Sequence, residues 1–312
     1  MGELGHHVTL IAPRGSVKPP RGRLIETMDA RSKFEDEEPA FEIYKHFLPE
    51  FDVIIDDSHM KYAYIYKGLN LDSHILGVLH THPTYHTPPS FNGNRIPKPT
   101  FVAVSKSHAM RYSGVLGIVI HTAYNGIDMR KYKFQREKSN RYLWVGRFEP
   151  FKGAHVAVYL AKTLKFPLDM VGKTYDSEPN YVNQVMAEAK GQPNINFLGE
   201  VDEATLIKLY QNARALIFPC MWEEPLGLVQ LEAQACGTPV ISTTMGAIPE
   251  TVRHGSTGFL STSVEEMGEY IGAVDTIDPN VCRKFISDNF SKEVMARRYE
   301  QLILKAIEEG GW

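Results

Sequence analysis

The chain has 312 residues, 43% hydrophobic and 23% charged, with a formal net charge of -3. That balance excludes a disordered chain, and it supplies no global basic surface for nucleic acid. The length accommodates one large or two ordinary domains, and no apolar run reaches the roughly 20 residues that span a bilayer.

Taken in chain order, Met1 leads into GELGHH. There is no basic start and no apolar stretch of a secretory leader, so a cytoplasmic protein is expected, with room for a peripheral membrane contact. HVTLIA, FDVIID, HILGVLH, TFVAVS and GIVIH then read as strands, and PAFEIYKHFL as a helix. The polar segment GIDMRKYKFQREKSN interrupts this pattern, and a domain boundary is placed near Lys138, giving domains 1–138 and 139–312. Beyond it the alternation becomes regular. YLWVGR, LDMVG, INFLG, ALIFP, PVIST and TGFL are strand-like. GAHVAVYLAKTLK, YVNQVMAEAK, DEATLIKLYQNA, GLVQLEAQAC and VEEMGEYIGAV repeat apolar residues at helical spacing, with Asp202 as an N-cap. A long helix, 291–309, closes the chain and is placed to pack back toward the first domain. Strand–helix units with short connections imply an α/β fold with parallel sheets covered by helices. Two Rossmann-like domains facing a cleft is the economical arrangement, with ligands at the carboxyl ends of strands. Cys220, Cys236 and Cys282 match no zinc spacing and have apolar neighbours, as free thiols with packing roles do.

One stretch, MWEEPLGLVQLEAQACGTPV, concentrates the chemistry. It follows the ALIFP strand, so its first residues lie at a carboxyl end. Pro225 suits a loop, the helix begins near Gly227 or Leu228, and Gly237 with Pro239 stops it. Glu224 then lies in the loop and Glu232 inside the helix, where an apolar surrounding makes a carboxylate costly unless it is bonded. The free backbone N–H groups near Leu226, Gly227 and Leu228 lie between the two and can hold phosphate oxygens.

This stretch resembles the E-x7-E signature of family 4 retaining glycosyltransferases, which have the GT-B fold. GRFEPFKG (146–153) is similar to that family's G-R-x4-K-G element, and FLGEVDEATLIKLYQNARALIFP and GAIPETVRHGSTGFL are similar to the segments flanking the glutamates. GHHVTLIAP, FDVII, VLHTHP, FVAVS and YNGID look like its acceptor-side domain, so the resemblance covers nearly the whole chain. It implies that Glu224 bonds hydroxyls of the transferred sugar and that Glu232 accepts hydrogen bonds from the nucleotide ribose. It further implies that Arg147 and Lys152 bind the donor diphosphate in place of a divalent cation, so that no metal and no other cofactor is required. A guanidinium fork and an ammonium at a strand end are suited to a charged leaving group.

His80 would face the donor sugar, with His82 a second candidate and His86 an ordinary loop residue. A zinc reading of these three histidines has no accompanying carboxylate or cysteine cluster. Gly246, Ala247 and Ile248 form a loop that can approach the sugar or phosphates. Ser105 either lines the cleft or caps a strand end, and Glu250 suits the dipole of the helix it begins. Asn125, Gly126 and Asp128 read as a turn without a catalytic role. The implied reaction moves a sugar from a UDP- or GDP-linked donor, such as UDP-glucose or GDP-mannose, to a hydroxyl of a glycan, lipid or small-molecule acceptor, with retention.

The chain departs from the family at its start. Relatives place a strand, a glycine-rich loop and a helix before the GHxVTLxAP strand, and here that first strand–loop–helix is absent. Two readings follow: a working glycosyltransferase with a shortened acceptor domain, or a nucleotide-sugar-binding module without efficient transfer, either degenerate or dependent on a partner chain. A phosphorylase would need a lysine poised for pyridoxal phosphate, which no motif marks. A sheet edge left open would also invite a homodimer.

Overall fold

Strands and helices alternate through the computed structural model, which describes residues 1–29, 37–57, 72–83, 100–174 and 179–310. β1 (Val8–Arg14) and β2 (Gly22–Asp29) pair in parallel as a two-stranded sheet. α1 (Glu37–Tyr44) runs on into a 3-10 turn around Pro49. β3 (Val53–Asp56), β4 (His74–Leu79), β5 (Thr100–Ala103) and β6 (His121–Thr122) form a four-stranded sheet in that order, with β3 and β4 parallel. α2 (Lys106–Leu116) follows β5 in the chain.

The second half carries β7 (Tyr142–Val145), α3 (Ala154–Leu164), β8 (Leu168–Val171), α4 (Pro179–Ala189), β9 (Ile195–Gly199) and α5 (Glu203–Asn212). It continues with β10 (Leu216–Phe218), α6 (Leu228–Ala235), β11 (Val240–Thr243), α7 (Ile248–Thr251), β12 (Gly258–Ser261) and α8 (Val264–Ala273), then α9 (Pro279–Phe290) and α10 (Lys292–Glu309). Its sheet has six strands in the order β12-β11-β10-β7-β8-β9, every pair parallel. The apolar runs YLWV, LDMV and LIF are buried on both faces, as parallel strands under two helix layers must be. Trp144, Leu168, Met170, Ala157, Val185 and Ile217 are among the residues that fill this core.

Contacts divide the chain into two units. The first is Met1–Val102 with Ile118–His121 and Ala296–Trp312; the second is Ala103–Gly117 with Thr122–Met295. The polar segment around Lys138 lies within the second unit. The α/β class and most elements of the second half match the reading of the sequence, and Asp202 caps α5 by accepting from the Thr205 amide at 2.7 Å.

Four features differ. β2 was not anticipated, because GRLIETMD mixes charges into its apolar residues. GIVIH is not a strand: Gly117 is the left-handed C-cap of α2, with φ 64, and extended pairing begins only at His121. α2 itself has a weakly apolar sequence and owes its definition to its caps, Ser105 and Gly117. α9 begins at a proline, Pro279, which is tolerated in a first helical turn, after Asp278 accepts from the Asn280 amide. Among the described residues no helix is long and apolar enough to cross a membrane. The three cysteines are free and buried, as expected, and burial pushes each thiol up to about 12.

Candidate active site

Within the second unit, β7, β8 and β9 add to the sheet in one direction and β10, β11 and β12 in the other. The reversal lies between β7 and β10, and crevices at the carboxyl ends of such strands are where ligands bind in open parallel sheets. Arg147 and Lys152 follow β7, Glu224 follows β10, and Gly246 follows β11.

Lys152 ends a single 3-10 turn, Pro150–Lys152, that is locked from several sides. The indole N–H of fully buried Trp144 donates to the Lys152 carbonyl at 3.2 Å. The Met221 amide donates to the Phe151 carbonyl at 2.8 Å, joining this turn to the segment after β10. Gly153 must be glycine: its φ is 71, and a Cβ there would lie 2.1 Å from the Pro219 carbonyl oxygen.

The turn delivers the Lys152 ammonium to 2.6 Å from Glu224 Oε2, with side chains only 12% and 11% exposed. The ammonium also lies 4.9 Å from the centre of the Trp222 ring and 5.6 Å from that of Phe218, in cation–π range. Glu224 Oε2 also accepts from Trp222 Nε1 at 2.6 Å and Cys220 Sγ at 3.6 Å. Among the described residues no donor meets the other oxygen, Oε1. The carboxylate is thus anchored through one oxygen and open at the other.

Gly246 sits on the backbone of Glu224. A Cβ at Gly246 would fall 2.4 Å from the Glu224 nitrogen and 2.5 Å from its oxygen. The Ala247 amide donates to the Glu224 carbonyl at 2.9 Å. Ala247 is fully buried and spends its N–H on this bond, so it supports the glutamate rather than offering a donor to a ligand. α6 begins as expected, with Gly227 as N-cap, and no side chain caps its first turn. Leu226 is buried and Leu228 exposed.

Arg147 is turned to its neighbour Glu149, 3.0 Å away, and lies 6.0 Å from the Phe151 ring centre. Glu232 occupies a different setting on α6. Its Oε1 accepts from the Tyr132 hydroxyl at 2.9 Å and its Oε2 from the Tyr210 hydroxyl at 3.0 Å. Burial raises its carboxyl above the ordinary range while the two phenols act in the opposite direction. The same burial, with the carboxylate beside them, raises both phenols.

Neither tyrosine stood out in the sequence. A tyrosine at helical spacing in LIKLYQNA has the pattern of a core aromatic, and nothing local distinguishes one that aims a hydroxyl at a carboxylate.

Glu250 serves another helix besides its own. Its carboxylate accepts from the Lys106 and Ser107 amides at 2.9 and 2.8 Å, at the start of α2, and from the Tyr124 hydroxyl. Ser105 caps the same helix by accepting from the His108 amide at 3.1 Å, a helix N-cap in place of the strand-end cap expected of it. Arg111 on α2 pairs with Glu223 at 2.7 Å. Gly126 presses on the Ser291 and Lys292 backbone, a structural placement.

His80 belongs to the first unit, where Nε2 lies 2.8 Å from Asp57 Oδ1; His86 lies outside the described residues. Among the described residues no group of three or more His, Cys, Asp or Glu is arranged to hold a metal ion. The first unit also has a cavity of about 720 Å³ lined by residues that include His6, His7, Lys18, Arg21 and Arg23, none of which the sequence had singled out.

Residues 127–277 match the family described as Glycosyl transferases group 1. The chain is 28% identical over 198 residues to a glycogen synthase of Mycobacterium tuberculosis, covering 58% of this chain and 47% of that protein. The chain spans about half the length of these curated relatives. Its fold is similar to a glycosyltransferase from Rickettsia africae, with TM-score 0.76, 22% identity and coverage of 98% of this chain and 92% of that one. It is also similar to Anabaena Alr3699/HepE in complex with UDP, with TM-score 0.75, 18% identity and coverage of 91% and 86%. The chain thus has a GT-B fold, consistent with two Rossmann-like domains, and its residues 127–277 match Glycosyl transferases group 1.

Proposed function

We propose that the protein is a family 4 retaining glycosyltransferase. It moves a sugar from a UDP- or GDP-linked donor to a hydroxyl of a glycan, lipid or small-molecule acceptor, without a metal ion. The observation that carries this reading is the Lys152–Glu224 pair at 2.6 Å, beside an uncapped helix start, with Glu224 Oε1 open. UDP in the similar Anabaena protein supports a uridine nucleotide first.

An ammonium has three donors. One serves Glu224, and the others reach diphosphate oxygens. Arg147, half-exposed at the end of β7, swings its fork from Glu149 to the same group. Backbone N–H groups at the start of α6 add to the positive end. Glu224 Oε1 accepts a hydroxyl of the donor sugar, and Glu232 accepts the ribose hydroxyls.

As the bond from the anomeric carbon to the phosphate oxygen breaks, its electron pair goes to that oxygen, where Lys152 and Arg147 stabilise it. The acceptor oxygen bonds the same face of the carbon, and its proton passes to a donor phosphate oxygen. Positioning and charge stabilisation carry the rate.

The test is nucleoside diphosphate release from UDP-, GDP- and ADP-sugars, with and without a mixed acceptor pool. Acceptor-stimulated release that is lost in Glu224→Ala is the expected result. Nucleotide binding without release from any donor would instead favour the binding module that needs a partner chain.

A further inference from the structure

Glu232 is held in an unusual way for a carboxylate that is to meet a ligand. Each of its oxygens carries one phenolic hydrogen bond, from Tyr132 on one side and Tyr210 on the other. A carboxylate has about four acceptor sites, two on each oxygen. One phenol on each oxygen therefore fixes the rotation of the group and leaves one acceptor site on each. What remains is a rigid pair of acceptors, about the separation of two carboxylate oxygens, suited to two hydroxyls on adjacent carbons.

Both tyrosines are fixed to the same frame that carries Glu232. The Arg283 guanidinium donates to the carbonyls of Tyr132, Ala235 and Met129, tying the segment with Tyr132 to the end of α6. The Tyr210 carbonyl accepts from the Thr238 hydroxyl, which itself accepts from the Lys138 ammonium at 2.9 Å. Lys138 further donates to the Cys236 and Gln211 carbonyls, just after α6 and in α5. Tyr210 is fully buried and Tyr132 nearly so, so neither phenol has freedom to turn away.

We infer that Tyr132 and Tyr210 are positioning residues that present the two oxygens of Glu232 as paired acceptors for the vicinal diol of a nucleotide ribose, and so set the discrimination between ribose and 2′-deoxyribose. This rests on the assignment of Glu232 to the ribose in the proposed function. Two phenols that merely satisfied a partly buried carboxylate would predict no such effect.

The experiment is calorimetric binding of UDP, 2′-deoxy-UDP, GDP and 2′-deoxy-GDP to the full chain. Wild type, Tyr132→Phe, Tyr210→Phe and Glu232→Gln are compared, each first shown to unfold cooperatively. For the base that binds, wild type should prefer the ribonucleotide by about 10- to 100-fold, as expected for one hydrogen bond to a charged group. Each Tyr→Phe variant should lose much of that ratio while its affinity for the 2′-deoxy form changes little. Tyr132→Phe carries the test alone if the buried Tyr210→Phe does not fold.

A full ratio in the Tyr→Phe variants, with the ratio lost in Glu232→Gln, overturns the inference and leaves the functional reading standing. A ratio near one in wild type, or no nucleotide binding at all, overturns the ribose assignment and the inference with it.

Discussion

Lys152 and Glu224 pose a residue-scale question that stability can answer apart from activity. Both side chains are about nine-tenths buried, so removing either leaves the other charge unpaired. Breaking such a pair costs up to about 3–5 kcal/mol, whereas replacing both members with apolar residues of similar size is often neutral. Glu224→Ala and Lys152→Ala should each lower the urea midpoint. Lys152→Met combined with Glu224→Leu should recover most of the loss while nucleotide-sugar turnover stays abolished. A double variant as unstable as the sum of the singles would mean that the pair is not the source of the cost.

Glu232 makes the complementary case, because its carboxyl is raised by burial. A carboxyl raised in the folded state contributes stability that is complete below its unfolded value, about 4.3, and is lost as pH rises through the folded value. Glu232→Gln removes that loss, so its melting temperature should exceed that of wild type at neutral pH, with the gap closing below about pH 4. An equal gap at both would exclude titration as its source. Glu224, Lys152 and Glu232 could be singled out in the sequence because each lies in a short, ordered motif, and the structure brings Lys152 and Glu224 together. Tyr132, Tyr210 and the capping by Glu250 could not, since they depend on which distant segments the fold brings together.

At the scale of elements, α2 is secured by two carboxylates, Glu223 from the loop after β10 and Glu250 from α7. Glu250 meets its first amides and Glu223 meets Arg111 in its middle. Hydrogen bonds to a charged group contribute roughly 1.5–3 kcal/mol each, against about 1 kcal/mol for a serine N-cap. Glu250→Ala should therefore destabilise more than Ser105→Ala and should speed hydrogen exchange at the Lys106, Ser107 and His108 amides. Equal effects of the two would demote Glu250 to an incidental contact. Elements of the second half were legible from periodicity and turn residues because each strand is buried on both faces and each helix has an apolar stripe. α2 and β2 were hidden because caps and pairing, rather than hydrophobic pattern, define them.

Across the whole molecule, individual strands differ in how completely they are covered. In β1 and β3, Leu10 is 38% exposed and Ile55 40%, whereas Leu143, Leu216 and Ile241 in the second unit are buried. Local stability follows buried apolar contact. Native-state hydrogen exchange should find the Val8–Arg14 amides opening at lower denaturant than those of Tyr142–Val145; simultaneous opening would mean that the units unfold as one.

The seat of Gly246 on the Glu224 backbone matters to anyone who would retune the donor preference by directed evolution. The loops after β10 and β11 form a single interlocked part, so a library that varies one of them in isolation mostly samples broken scaffolds. Diversity is better placed jointly across both loops, with Gly246 left untouched.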